Sequence, residues 1–561
     1  MSTNVSKQKR EDLLAKIKAI RTYIATAPQD ENTANLLAYL SELEKDVGAK
    51  KYGLVFEEHR EEIDEVLSTP TPVLTEDDSL FIDNGGQMNF LIEGDNLASL
   101  QLLEKTHKGK IDLIYIDPPY NTGNKDFVYD DTFVDVTDTF RHSKWLSFIE
   151  TRLRIAKKLL ADNGAIFISI DDNEQAQIKL LCDDIFGSEN FIANIIIEND
   201  SRARPYNSVA ITHEYLLFYQ RSGAFVARTL VDPNKKFKYY DEIGGFDLYE
   251  LRNRNSDFNI GNRPNLYYPF YLDPTSEDEN GLYQISLTPQ DGWIEVYPQE
   301  SQGIKTVWRW GKETASKNLN TVIFGKERKG GWQIVKKYRE ATYSLSSVWQ
   351  GSEVTSDSGT LALKKYFDNK RIFGFPKPIG LIEKCISLCS AEEPIILDFF
   401  AGSGTTGHTV MKMNAEDGGT RRFILCTNNE NNICREVTYE RIKRVIDKEG
   451  YAASLKYFKV DYIPVSERMY YEYADELLTH IRELVELENG INFTGNAEVG
   501  IVLTEDELDE FIANGEAFAK CRKLYMGHDL LPDEEQEKIL RSRGIEISII
   551  PDYYYRDLQE G

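Results

Sequence analysis

The stretch Lys110–Tyr120 constrains the fold of this chain more than any other. Ile111, Leu113, Ile114, Tyr115 and Ile116 make a nearly continuous apolar run, the pattern of a strand buried on both faces of a sheet. Pro118 and Pro119 stop it, because proline has a fixed φ and no N–H to continue a ladder. Asp117 lies at the resulting rigid corner, with Tyr120 just beyond. A carboxylate and an aromatic ring are thus held together at the carboxyl end of a buried strand. Open α/β sheets bind their ligands there, so the corner reads as an active site.

A second buried strand, Pro394-Ile-Ile-Leu-Asp398, runs into Phe-Phe-Ala-Gly402-Ser-Gly404-Thr-Thr-Gly407. This loop matches G-x-G-x-x-G after a strand, which suits a nucleotide-like ligand beneath a helix N-terminus. Extended by two residues it nearly matches a phosphate-binding G-x-x-x-x-G-K-[ST] loop, but His408 stands where a lysine must reach the phosphates. A dinucleotide dehydrogenase stays open on the loop alone, since Glu430 follows at about the spacing of a ribose-binding carboxylate. The combination with Asp117-Pro-Pro-Tyr120 separates the readings, because neither a dehydrogenase nor an ATPase requires that corner.

At 561 residues the chain is too long for one core, and several domains are expected. Residues 1–76 read as a helical region: Leu13, Leu14, Ile17 and Ile20 share one face, Leu36, Leu37, Leu40 and Leu43 another, and Ser68–Val73 reads as a linker. Residues 77–226 alternate strand and helix around the Asp117 corner. They include a polar loop, Asn121–Phe140, long enough to be functional or mobile. Over 227–362 the periodicity fades, and Trp308, Trp310 and Trp332 accompany a basic island, with 10 basic and 3 acidic residues in Ser301–Glu340. The bland reading is an insertion with a solvated basic face. The sharper one is a nucleic-acid reader, with Lys326, Arg328 and Lys329 on phosphates and rings that stack or wedge. Residues 363–464 return to α/β and carry the glycine loop. Residues 465–561 open with a patterned helix (Leu477, Leu478, Ile481, Leu484, Val485) and continue acidic, which suits an interaction or dimerisation region without chemistry of its own.

A net charge of −26 argues against a nucleic-acid partner, since phosphate binding rests on Lys and Arg. The distribution weakens that objection: Val465–Gly561 holds 9 basic and 23 acidic residues, over half of the excess. No run of about 18 apolar residues occurs, and the first residues lack the apolar core of a signal peptide, so a cytoplasmic location and no membrane partner are expected. Six cysteines, four of them in apolar stretches, do not form a disulfide framework. Cys385 and Cys389 lie one helical turn apart without a second ligand pair nearby. They read as core residues, and no metal is expected.

A buried strand ending in Asp398-Phe-Phe-Ala-Gly-Ser-Gly404 and another ending in Asp117-Pro-Pro-Tyr120 together resemble the amino-methyltransferases that use S-adenosylmethionine. The order, with the Asp-Pro-Pro-Tyr corner first, a variable region between and the glycine loop last, resembles the β group of DNA adenine-N6 methyltransferases. Leu91–Leu97, Tyr115–Gly123, Phe167–Asn173, Phe375–Pro378 and Leu397–Thr406 look like the modification subunits of type III restriction-modification systems. The resemblance covers roughly residues 80–220 and 365–460, the middle region matching only in position.

The resemblance implies an α/β fold: a Rossmann-like methyltransferase sheet with circularly permuted motif order. An inserted mixed α+β target-recognition domain and helical N- and C-terminal additions would complete it. It also implies transfer of a methyl group from S-adenosylmethionine to adenine N6 of double-stranded DNA. The target base must first leave the duplex. Asp117 would accept one hydrogen bond from the amine and the Pro118 carbonyl a second, with Pro118 and Pro119 fixing that carbonyl and Tyr120 stacking on the base. Asp398, Phe400, Ala401, Gly402, Ser403, Gly404 and Thr405 would line the methionine and ribose side of the cofactor. Glu430 would meet the ribose hydroxyls, in competition with Asn428 and Asn429. Asp95 would meet the cofactor adenine or merely cap a helix, and Lys377 would meet the methionine carboxylate or remain a solvated loop lysine. Cytosine-N4 methylation is the alternative at the same corner, where that group more often carries Ser. A recognition subunit that guides a separate nuclease is the alternative from another class. The implied partners are duplex DNA, a second copy of the chain and a helicase-nuclease restriction subunit.

Overall fold

The computed structural model describes residues 5–26, 31–48, 56, 59–67, 70–123, 140–200, 209–232, 234–329, 331–464, 479–493, 496–514, 519–527 and 530–550. The chain forms two compact units, Met1–Arg228 with Ser346–Gly561, and Thr229–Leu345.

A ten-stranded sheet organises the first unit. Its strands are β1 (Pro70–Glu76), β2 (Gln87–Glu93), β3 (Ile111–Ile116), β4 (Leu160–Ile170), β5 (Phe191–Glu198), β6 (His213–Gln220), β7 (Val348–Trp349), β8 (Ile395–Asp398), β9 (Arg422–Thr427) and β10 (Ala453–Pro464). Their spatial order is β1-β10-β2-β9-β8-β3-β4-β6-β5-β7. From β10 to β4 all neighbours are parallel; β1 on one side and β6 on the other run antiparallel to their neighbours, and β5 and β7 pair in parallel at the far edge. The strand of the Asp117 corner and the strand of the glycine loop lie far apart in the chain yet pair directly, Ile396 with Leu113 and Leu397 with Ile114. Both motifs therefore lie side by side in one sheet.

β3 is buried because it sits in the middle of this sheet, and successive side chains leave it on opposite faces. Ile114 and Ile116 join a cluster with Leu100, Leu103, Trp145, Ile149 and Leu153. Leu113 and Tyr115 are buried on the other face. Truncating Ile114 to Ala would cost roughly 2–5 kcal/mol by transfer and cavity terms. Helices α3 (Asn96–His107), α4 (Arg141–Leu159) and α5 (Gln175–Phe186) pack in one row, and α6 (Ile379–Ser387), α7 (Thr405–Asp417) and α8 (Glu440–Glu449) in another.

Three expectations change. Ser68–Val73 was expected to be a linker, but β1 starts at Pro70 and pairs with β10 from Pro70↔Pro464 to Glu76↔Phe458. Prolines signal a break in sequence, yet an edge strand tolerates them because its outward N–H groups have no ladder to join. The C-terminal region is not only helical. Val499–Val502, Lys523–Met526 and Glu546–Ile549 form a parallel three-stranded sheet over a core of Val502, Leu508, Leu524, Met526 and Leu540. Four-residue strands are too short for alternation to show. The patterned helix α9 (Ile481–Asn489) buries Ile481, Leu484 and Val485 inside the cluster of the main sheet, so these side chains present no face to a second copy. Leu477 and Leu478 lie outside the described residues.

The N-terminal helices α1 (Val5–Ala25) and α2 (Glu31–Gly48) pack as a hairpin around Ile17 and Leu40, while Leu13, Ile20, Leu36 and Leu43 are exposed. Cys385 and Cys389 are buried, and no group of metal-ligating side chains exists among the described residues. No described helix is long and apolar enough to cross a membrane.

The second unit is β-rich, with one five-residue helix among its described residues, Lys312–Ser316, besides a short turn. Ile323–Arg328, Gly331–Tyr338, Gly244–Glu250 and Tyr239–Asp241 form an antiparallel sheet, and Phe270–Leu272 pairs with Ile285–Ser286 and Ile294–Val296. Trp308, expected as a ring that could stack on bases, is instead core, its Nε1 donating to the Tyr268 carbonyl at 2.7 Å. Trp310 and Trp332 pack against the same cluster. The Lys326 ammonium donates to the carbonyls of Asn280 (3.0 Å) and Gly281 (3.2 Å), whereas Arg328 and Lys329 are exposed at a hairpin tip.

Candidate active site

The corner after β3 is held from several sides. Trp145 of α4 donates its indole N–H to the Pro119 carbonyl at 2.7 Å. Nothing among the described residues donates to the Pro118 carbonyl, so one of the two proline carbonyls is taken and the other open. Asn121 follows at φ 55°, and its amide donates to the buried Glu174 at 2.5 Å, with His142 on the same carboxylate at 2.7 Å. Burial pushes the Glu174 carboxyl above its ordinary range, while hydrogen bonds from Asn121 and His142 oppose the shift. The segment leaving the corner is therefore tethered to α5's leading residue.

Asp117 faces a charged cluster. Lys377 Nζ lies 3.3 Å from Asp117 Oδ1 and 2.7 Å from Glu214 Oε2, and donates to Tyr120 Oη at 2.5 Å. Tyr120 Oη in turn donates to Glu214 Oε2 at 3.0 Å. Asp117 Oδ1 is buried and makes no hydrogen bond of good geometry; the ammonium is an ionic neighbour only. Burial pushes the Asp117 carboxyl above the ordinary range, Lys377 opposing and Glu214 adding to the rise. For Lys377, burial works against the charge, but Asp117 and Glu214 together hold it above the usual lysine range. A buried cation with two carboxylates stays charged.

The glycine loop after β8 forms the neighbouring wall. Asp398 accepts from Phe400 N at 3.0 Å and from Thr406 Oγ1 at 2.6 Å, closing the turn, and burial raises its carboxyl to about 7. Gly402 has φ 47°, and a Cβ there would stand 3.3 Å from the Phe373 ring. Gly404, at φ 72°, is the N-cap of α7. Thr438 donates to the Gly402 carbonyl at 2.6 Å, and Arg441 donates to the Ser403 carbonyl and to the Ser403 and Thr405 hydroxyls. A cavity of about 210 Å³ lies between loop and corner. Asp117, Pro119, Lys377, Asp398, Phe400, Ala401, Gly402, Ser403, Thr405 and Glu430 line it, with Phe373 and Phe375.

One candidate stands elsewhere, and another lines the cavity with its charge already engaged. Asp95 is the N-cap of α3, accepting from Leu97 N at 2.7 Å, and is not part of the cavity wall. Lys377 is not a solvated loop lysine: it lines the cavity, and its ammonium donates to Glu214 and Tyr120. Glu214 was missed by the sequence reading. It is the second residue of β6, and because β6 runs antiparallel to β4 its first residues lie beside the carboxyl ends of the parallel strands, Ile170 facing Tyr215. A carboxylate just ahead of the apolar run Tyr215–Tyr219 was the available signal. Arg441 was missed too, since in sequence it is one charge on an amphipathic helix.

The DNA methylase family model matches residues 111–439, more than half of the chain. The chain belongs to the DNA methylase family. The type II methyltransferase M.KpnI of Klebsiella pneumoniae is 38% identical to it over 344 residues, covering 60% of this chain and 79% of that protein. The type III restriction-modification enzyme EcoPI Mod subunit of Escherichia phage P1 is 32% identical over 385 residues, covering 62% of this chain and 58% of that protein. The chain thus spans little more than half the length of this Mod relative. Among solved structures, the PvuII cytosine-N4-specific DNA methyltransferase aligns with TM-score 0.33 and 11% identity over 67% of this chain and 98% of that one. Within this DNA methylase, the match spans both walls of the cavity, from β3 to the π-helical turn Ile433–Tyr439.

Proposed function

We propose that the chain transfers a methyl group from S-adenosylmethionine to adenine N6 in duplex DNA, in the cytoplasm, as the modification and recognition subunit of a type III-like restriction-modification system. The observation that carries this reading is Asp117 Oδ1, a buried acceptor without a well-formed hydrogen bond, beside the open Pro118 carbonyl. Two unfilled acceptors at a rigid corner call for a ligand with two hydrogens on one nitrogen.

The glycine loop fits the cofactor. Gly402 and Gly404 leave backbone where a Cβ would crowd Phe373 and Thr438, and Glu430 stands at the rim for ribose hydroxyls. When bound, the cofactor supplies a methyl group on a sulfonium. Asp117 and Pro118 would hold both amine hydrogens in one plane and direct the nitrogen lone pair across the cavity, so the protein contributes positioning above all. Tyr120, clamped by Lys377 and Glu214, would stack on the flipped base. Lys377 opposes the effect of burial on Asp117, and Glu214 balances the lysine charge so that the corner does not repel the positive charge passing from sulfur to nitrogen. Adenine is favoured over cytosine by Asp117, where the cytosine-N4 group more often carries Ser. In the other unit, Arg328 and Lys329 are among the exposed cations of the basic island and would meet phosphates.

A stand-alone methyltransferase is the second reading, supported by the larger share of the type II relative that the chain spans. Co-purification from native cells separates the two: a helicase-nuclease polypeptide bound to the chain supports the first, its absence the second. The chemistry is tested by incubating the protein with labelled S-adenosylmethionine and mixed-sequence duplex DNA and digesting to nucleosides. Label in N6-methyladenosine is the expected result. Label in N4-methylcytosine, or none, overturns the adenine assignment.

A further inference from the structure

Three segments converge on one buried acid beside the Asp117 corner. Glu174 lies in the turn after β4, and β4 runs parallel to its neighbour β3, so this turn and the corner leave the same edge of the sheet side by side. The turn is rigid: Asp171 accepts from Asn173 N at 2.9 Å and from Asn173 Nδ2 at 2.7 Å, and its carbonyl accepts from Gln175 N at 3.1 Å. The Glu174 side chain is fully buried. Its Oε1 accepts from Asn121 Nδ2 at 2.5 Å and from His142 Nδ1 at 2.7 Å. Arg141 Nε donates to the other ring nitrogen of His142 at 3.2 Å, which leaves the imidazole proton on Nδ1 for the acid.

Neither bond caps a helix. Glu174 stands at the N-cap position of α5, yet its side chain makes no capping bond, and its Oε2 is buried without a partner. A buried carboxyl with one empty oxygen is a poor device for stability alone, because its desolvation is only partly repaid. The two bonds instead join the corner to α4. Asn121 directly follows Tyr120 and stands at φ 55°, a region that strains a residue with a Cβ and that Asn tolerates better than most. Its amide also donates to the Arg141 carbonyl at 3.3 Å. His142 lies in the first turn of α4, three residues before Trp145, whose indole holds the Pro119 carbonyl. Glu174 therefore reaches the corner by two routes, directly through Asn121 and through α4 to Pro119. The Tyr120 hydroxyl is held separately by Lys377 and Glu214.

We infer that Glu174 is a positioning residue that sets the backbone of the Asp117–Tyr120 corner for methyl transfer, acting through Asn121 and His142. The inference rests on the methyl-transfer reading above and deepens its site. Releasing Glu174 frees Asn121 to leave the left-handed region and lets the first turn of α4 shift. Asp117 and the Pro118 carbonyl then lose their common plane toward the amine. The glycine-loop wall is untouched, because neither Glu174 nor Asn121 lines the cavity. The chemical step suffers and cofactor binding does not.

The test measures kcat, the KM for mixed-sequence duplex DNA and S-adenosylhomocysteine affinity. It compares wild type with Glu174→Ala, Glu174→Gln, Asn121→Ala and the double variant Glu174→Ala/Asn121→Ala. Glu174→Ala should lose kcat on the order of 10²-fold, the scale of a misplacement of about 1 Å, with KM and S-adenosylhomocysteine affinity kept within about threefold. Glu174→Gln keeps an accepting oxygen and should hold kcat within about fivefold of wild type. The double variant should be no slower than Glu174→Ala, because both changes break the same link. The inference is overturned, with the methyl-transfer reading left standing, by any of four results: unchanged kcat in Glu174→Ala, Glu174→Gln as slow as Glu174→Ala, losses that multiply in the double variant, or cofactor affinity that falls in step with kcat. A wild type that transfers no label overturns the methyl-transfer reading itself, before any variant is compared. If Glu174→Ala does not fold, Asn121→Ala and Glu174→Gln decide: a loss of about tenfold or more in kcat for the first, with the second near wild type, sustains the inference, and any other pattern overturns it.

Discussion

The two walls of the cavity solve the problem of a buried carboxylate differently. At the Asp117 corner a lysine stands beside the acid, a second carboxylate stands beside the lysine, and one acceptor oxygen remains unfilled. At the glycine loop Asp398 pairs with no cation among the described residues; it is bonded on both oxygens, by Phe400 N and Thr406 Oγ1, and rises to about 7. The nearest buried cation there, Arg441, is turned on the loop hydroxyls instead. An acid beside a cation with one oxygen unbonded is arranged for a ligand, and an acid bonded on both oxygens is arranged to hold a turn. Asp117 is therefore read as chemistry and Asp398 as architecture.

The difference can be attacked at Lys377 first. Lys377→Met removes the charge that opposes burial of Asp117, so the Asp117 carboxyl should rise further. Activity needs the carboxylate and is lost as pH falls through its pKa, so the acid limb of the kcat/KM profile should move to higher pH. At neutral pH, misplacement of Tyr120 adds a loss on the order of 10²-fold. Adding Glu214→Gln to that variant should move the limb part of the way back, because the unpaired Glu214 charge also raises Asp117. A limb that stays in place, with only cofactor affinity reduced, would return Lys377 to the cofactor side.

Asp398→Asn probes the other wall. The folded protein holds this carboxyl near 7 against an ordinary 3.8, so the native state binds the extra proton between those values and stability falls as pH rises through them. Asn carries no such penalty and can still accept from Phe400 N. Relative to wild type, the variant should gain roughly 2–3 kcal/mol on going from about pH 5 to about pH 8, read as a difference in Tm. A constant difference would mean that Asp398 is ionised throughout. The smallest effect is expected at Gly402→Ala, where φ 47° and the Phe373 ring oppose a Cβ: about 1–2 kcal/mol of stability and weaker S-adenosylhomocysteine binding, with the pH profile of Asp117 unchanged.

Both walls were legible in the sequence because each is a contiguous strand and turn with unusual chemistry. Apolar runs ending in Asp-Pro-Pro-Tyr and in Asp-Phe-Phe-Ala-Gly-Ser-Gly declare both strand and corner, and the structure pairs the two strands. The residues between the walls were not legible, because their roles depend on neighbours far away in sequence. Glu214 reaches the corner only because β6 reverses direction, and Lys377 turns from the loop to that glutamate. Asp95 sits at the end of a parallel strand like Asp117, but no proline follows it, and it relaxes into a helix cap. β1 was hidden by its prolines, and the C-terminal sheet by the shortness of its strands.

The separation of the two walls is tested most directly on one preparation of Asp117→Ala beside wild type, measuring label transfer to DNA and titrating S-adenosylhomocysteine in parallel. The account predicts that transfer falls to background while S-adenosylhomocysteine binds with wild-type affinity. Transfer that survives, or affinity lost together with it, would contradict the assignment of the amine to the Asp117 corner.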